Sequence, residues 1–217
     1  MSFKKSDVIL VIKSVLKDIE NEPFIVHCEQ DIHSMLYCRL NEKNHNLYPI
    51  DLQHRRNSVK NKNGHPFRTN LVHSEYFFGK DDSGIGTYKR FDLVIFDEND
   101  VKNITRNWLT RWTNDGYDII ALKHVIEIKF EFGDGGPDNR NFDKSLSKKD
   151  VDKLVKFRGL QKKNRNIDPI LYFIYVLRWL TNNKAVKEEI LNFIKKLEKY
   201  CAENDVNFIY SVNFLID

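Results

Sequence analysis

The chain is poor in cysteine, with three in 217 residues, and it has no long uninterrupted apolar run. Cys28, Cys38 and Cys201 are odd in number and share no CxxC spacing, which argues against a disulfide framework or a zinc ribbon. Buried thiols are the reading favoured over a zinc site built on Cys28 with His27 or His33. No segment has the length and apolarity of a membrane-spanning helix, and the opening MSFKKSDVILVIKSVL places Asp and Lys where a signal peptide needs apolar residues. A cytoplasmic protein is the expectation. Charge of one sign is also lacking: 35 basic residues stand against 31 acidic ones, net +4, which permits a polyanionic ligand without requiring one. Asn103-Ile104-Thr105 matches a glycosylation sequon, which has no meaning in the cytosol.

What is present is a pair of apolar segments with charges set into them, KRFDLVIFD (89–97) and HVIEIKFE (124–131). Both read as strands with a buried face. A period of two places Arg90 and Asp92 on one face of the first, and Glu127, Lys129 and Glu131 on one face of the second. The rest of the chain predicts helices over 7–20, behind Ser6 as N-cap, and over 27–40, with Glu29 near its start. Strands are expected over 69–78, 170–177 and 206–216. A helix with a Ser147–Asp150 capping box precedes the 170–177 strand, and another follows it over 184–201. Trp108 and Trp112 suggest a helix between the two charged strands. The polar stretch 41–68, carrying Arg55, Arg56, Lys60, Lys62 and Arg68, reads as a basic loop or loose hairpin that can follow phosphates. This order predicts a single α/β domain over 1–217, with a mixed sheet covered by helices on both faces.

If the two charged strands are neighbours, Asp92 and Glu127 meet side by side, with Lys129 about 6–7 Å farther along. Two adjacent carboxylates repel unless a cation lies between them, and Mg²⁺, a hard ion that uses one or two protein carboxylates plus phosphate oxygens, meets that need. Lys129 can then orient or deprotonate a metal-activated water, or stabilise developing negative charge. Glu75, on the preceding strand, is a further metal or water contact; Arg90 is a phosphate contact. Gln161 is a weaker candidate for reaching substrate, and neither His33 nor His124 has a partner suited to nucleophilic catalysis. The bland reading pairs Asp92 with Arg90 or Lys129, and Glu127 with another surface lysine.

RFDLVIFD followed by the Glu127-x-Lys129 dyad resembles the catalytic signature of the PD-(D/E)XK, or restriction-endonuclease-like, nuclease superfamily. Phe91 stands where the family's name has proline, a position without a ligand role. The resemblance covers about residues 24–177 and implies an αβββαβ core, with the C-terminal helix and strand as additions. It implies that Asp92, Glu127 and the helical Glu29 hold Mg²⁺, with Mn²⁺ as substitute, and that Lys129 is the dyad lysine. The implied activity is hydrolysis of DNA phosphodiester bonds, with RNA as a second candidate substrate, endonuclease action favoured over exonuclease action, and a homodimer as one route to cutting two strands. The rival is a noncatalytic nucleic-acid-binding or assembly protein that retains the nuclease fold.

Overall fold

The computed structural model describes residues 3–44, 48–50, 52–54, 57–59, 67–78, 89–98, 122–134 and 144–215. Four helices appear among them: α1 (Lys5–Asn21), α2 (Glu29–Lys43), α3 (Lys144–Arg165) and α4 (Lys184–Glu203). Four short strands, β1 (Tyr48–Ile50), β2 (Leu52–His54), β3 (Asn57–Val59) and β4 (Phe67–Thr69), precede five longer ones: β5 (Val72–Phe78), β6 (Lys89–Phe96), β7 (Leu122–Asp134), β8 (Ile170–Leu180) and β9 (Asn207–Leu215). The long strands form one mixed sheet in the order β5-β6-β7-β8-β9. The β5-β6 and β6-β7 pairs are antiparallel; β7-β8 and β8-β9 are parallel.

Periodicity explains which surfaces the helices cover. Alternate residues of β7 and β8 point to opposite faces. His124 reaches the Phe3 carbonyl (3.2 Å) ahead of α1, and Arg178 donates to the Val26 carbonyl ahead of α2. On the other face, Glu127 meets Lys153 of α3 and the Tyr175 ring packs against Phe193 of α4. Parallel strands need crossovers, and two crossovers of one hand advancing in one direction place α3 and α4 on the same face. Covered on both sides, β8 is buried continuously from Leu171 to Trp179, as its unbroken apolar run predicts. No described helix is long and apolar enough to cross a membrane.

Several expectations need correction. Helix α1 starts at Lys5, so Ser6 is inside it, and the Asp7 carboxylate accepts the Lys4 N–H (3.0 Å) in place of a serine cap. Helix α3 starts at Lys144, so Ser147 is a buried helical residue rather than a cap. The apolar stripe through Val151, Leu154 and Phe157 directs Ser147 toward the core, overriding the local capping pattern. The 69–78 strand is interrupted at Asn70-Leu71, where the His73 Nε2–H donates to the Asn70 carbonyl (2.8 Å). Cys28 and Cys38 are exposed, and only Cys201 is a buried thiol. The 41–68 stretch contains two antiparallel ladders, β1-β4 and β2-β3, in keeping with the hairpin reading. Residues 79–88, 99–121 and 135–143, including Trp108, Trp112 and most of the loop after β7, lie outside the described residues.

Gly133 pairs with Trp179 across β7 and β8, and the indole lies where a Cβ at position 133 would stand. With Trp179 buried, the ring has little room to retreat. Gly133→Ala is expected to lower the urea-unfolding free energy by about 1–3 kcal/mol through overpacking. An unchanged midpoint would show that the indole moves aside.

Candidate active site

The site begins where two strands part. β6 and β7 pair from Phe96↔Leu122 to Leu93↔Ile126, after which β7 continues to Asp134 along β8 alone. Asp92 and Glu127 are thus the next cross-strand neighbours, as the sequence predicts for adjacent strands. The edge of β7 that β6 leaves behind still carries backbone N–H groups that need acceptors. Asp92 Oδ2 accepts the Ile128 N–H at 2.7 Å, and Glu29 Oε1 accepts the Phe130 N–H at 3.2 Å. Side-chain carboxylates replace the missing strand at two successive positions.

Helix α2 is oriented to supply one of them. The Asp31 carboxylate accepts the His27 and Cys28 N–H groups (2.7 and 3.1 Å), closing the first turn and holding the Asp31 pKa below its usual value. One turn on, His33 is buried and spans from the helix to β6: its Nε2–H donates to the Asp92 carbonyl (3.0 Å), while Nδ1 accepts from the Gln30 amide (3.0 Å). A carbonyl can only accept, which fixes this tautomer. His33 is therefore a positioning residue for Asp92. His124 lies on the opposite sheet face, hydrogen-bonded to Tyr172 Oη (3.0 Å), and burial pushes its pKa down to about 4.

Two lysines enter the acidic cluster. Lys129 Nζ lies 3.3 Å from Glu29 Oε1. Burial opposes its charge, but Glu29, Asp150 and Glu131 prevail and raise its pKa. Lys153 of α3 pairs with Glu127 Oε1, donates to the Arg90 carbonyl (2.9 Å) and stands 5.5 Å over the Phe91 ring. Glu127 is only 5 % exposed, and its Oε2 has no hydrogen-bond partner. Burial, followed by repulsion from Asp92, raises its pKa well above the ordinary value despite Lys153. Asp92 and Asp150 are raised chiefly by burial as well. Asp150 feels Glu29, Asp92, Lys129 and Lys153, which places it electrostatically within the cluster. Glu131 accepts the Tyr175 hydroxyl (2.8 Å) on the same side of β7.

The structure therefore brings Glu29, Asp92, Glu127 and Lys129 together and adds Lys153 and Asp150. Neither addition was anticipated, because charges on an amphipathic helix ordinarily face solvent; their one sequence signal is a position beside the Val151/Leu154 stripe. Glu75 lies in β5 between Ser74 and Tyr76, whose partners Leu93 and Phe91 flank Asp92. Its side chain lies outside the described residues, as do the side chain of Arg68, in β4, and the whole of Arg55, Arg56, Lys60 and Lys62. Arg90 is exposed at the rim. Gln161 is buried and accepts the Leu122 N–H (3.4 Å) at the start of β7. Glu127 does pair with a lysine, but Lys153 is largely buried rather than a surface one, and Lys129 pairs with Glu29 rather than Asp92.

Among the described residues, no group of three or more His, Cys, Asp or Glu side chains is arranged to hold a metal ion. The donor set nonetheless suits a hard divalent ion, which needs only one or two protein carboxylates: Glu127 retains an unpartnered buried oxygen beside Asp92. No protein-family model, curated protein or solved structure matches the chain.

The raised pKa of Glu127 has a defined consequence for stability. The folded chain keeps this proton at pH values where the unfolded chain has lost it, so stability falls as pH rises above the ordinary value of 4.5. Asp92→Asn removes the repelling charge yet keeps an acceptor for the Ile128 N–H. In EDTA, the variant's unfolding free energy is expected to fall less steeply with rising pH than the wild type's, measured by urea titration across the acidic to neutral range. Because the buried Asp92 carboxyl also titrates above its ordinary range, parallel profiles would mean that neither its own titration nor its repulsion of Glu127 contributes to the slope.

Proposed function

We propose that this chain is a divalent-metal-dependent nuclease acting on DNA, with a site of the PD-(D/E)XK kind. The observation that carries the reading is the buried Glu127 carboxylate, with one oxygen unpartnered, beside Asp92 and one alternate position from Lys129. Asp92 and Glu127 would hold Mg²⁺ or Mn²⁺, and Glu29 borders them from α2. When bound, such an ion supplies neutralisation of phosphate charge and a lowered pKa for an attacking water.

The chain's own residues supply the rest. His33 and the Ile128 N–H fix Asp92 from both its carbonyl and its carboxylate, so that carboxylate is held before any ligand arrives. Glu29 keeps Lys129 charged and oriented at the mouth of the cluster, where an ammonium can meet a phosphate oxygen or the water. Arg90 at the rim, with Arg55, Arg56, Lys60, Lys62 and Arg68, would contact the backbone of the nucleic acid; such contacts position a duplex without reading its sequence.

A second reading has its own support. Asp92 and Glu29 already serve as edge caps, and both lysines already neutralise carboxylates. A nucleic-acid-binding or assembly protein that keeps the fold without cleavage would need no more than this.

Supercoiled plasmid and end-labelled linear DNA, incubated with Mg²⁺, Mn²⁺ or EDTA, separate the two. Nicked or cut products are expected with either metal and not with EDTA. Glu127→Gln, Asp92→Asn and Lys129→Ala are each expected to lower the rate by at least about 100-fold, within the range for losing a catalytic group. Equal cleavage by all variants would sink the nuclease reading. Binding in EDTA that is indifferent to Glu127→Gln, with no cleavage of DNA or RNA, would favour the second.

A further inference from the structure

Lys153 is held in a manner unlike a surface lysine. Its side chain is 16 % exposed, and its ammonium meets Glu127 Oε1, the Arg90 carbonyl at 2.9 Å and the face of Phe91. Phe91 is itself fixed, edge to face against Phe157 of the same helix with ring centroids 4.9 Å apart. The ammonium also counters the charge of Asp92 and Asp150. A positive charge thus occupies the place beside the buried carboxylates that electrostatics reserves for a cation. It serves only one oxygen of Glu127 and leaves Oε2 without a partner.

We infer that Lys153 is a built-in counterion for Glu127, which a divalent cation must displace, so that this lysine sets the affinity of the site for metal. The inference rests on the metal-dependent reading above. A single ammonium offsets only part of the cost of burying the Glu127 charge. A doubly charged ion with several coordination positions can also engage Oε2. The four-carbon stem of lysine allows the ammonium to swing aside at modest cost, where a rigid guanidinium fork would be less readily moved. Repulsion between the two cations then opposes metal entry.

The test is Mn²⁺ binding to the full chain without nucleic acid, followed by the paramagnetic resonance signal of the free ion. Lys153→Met and Lys153→Gln are expected to bind Mn²⁺ at least about tenfold tighter than wild type once the competing charge is gone. Lys153→Arg, which keeps the charge, is expected to show no gain. If wild-type binding depends on Glu127 and neither neutral variant binds more tightly, the counterion inference alone is overturned. If wild type binds no Mn²⁺, or binds it equally after Glu127→Gln, the metal reading fails and this inference with it. Should the neutral variants not fold in EDTA, recovery of their thermal transition on adding Mn²⁺ supports replacement of the ammonium by the ion; no recovery counts against it.

Discussion

The backbone of β7 imposes the constraint around which the site is arranged. A strand that outruns its neighbour exposes N–H groups along one edge, and those groups must be satisfied by water or by protein. Here, beyond Ile126, the acceptors at Ile128 and Phe130 are acidic side chains from β6 and α2. That choice fixes two carboxylates at the parting of the strands, with no flexible loop needed to carry them. It also brings like charges into a partly dry region, where burial raises the pKa of Asp92, Glu127 and Asp150 together. The lysines oppose part of this rise: Lys153 favours the charged form of all three, and Lys129 that of Asp150.

Most of this sheet was legible in the residues. The continuous apolar run at Ile170–Leu177 has the character of a central strand covered on both sides, and the alternation of Val125, Glu127 and Lys129 implied one face with unusual chemistry. The two charged strands were legible as short apolar segments, but that they are neighbours, and with it the meeting of Asp92 and Glu127, is shown only by the sheet. Less legible was whatever depends on side chains choosing between solvent and core. Ser147 matches a capping pattern but is drawn inward by its helix's stripe, and Lys153 looks like one of several solvated lysines on α3. Local spacing cannot report such choices, because they are decided by what lies across the interface: a buried glutamate in one case and packed core in the other.

Helix α2 shows how few contacts are needed to set a site. Arg178, buried on β8, donates to the Val26 carbonyl and lies over the Phe130 ring, 5.6 Å from its centre. Val26 leads into the first turn that Asp31 closes, and that turn presents Glu29 to the Phe130 N–H. His33 completes the attachment at β6. Three strands are thus tied to one short helix by polar contacts that differ in direction, so the helix has little freedom to slide or roll. These directed bonds add to the burial of Ile32, Leu36 and Leu40 in the core.

The arm from Tyr48 to Thr69 begins and ends on residues that are cross-strand partners, and its strands pair only among themselves among the described residues. Its two ends therefore stand a single strand spacing apart at the margin of the main sheet. In lineage terms, such an excursion is a detachable appendage: it can lengthen, shrink or be exchanged without altering the register of any strand that carries the carboxylates. A change of length there leaves the acidic cluster where it is.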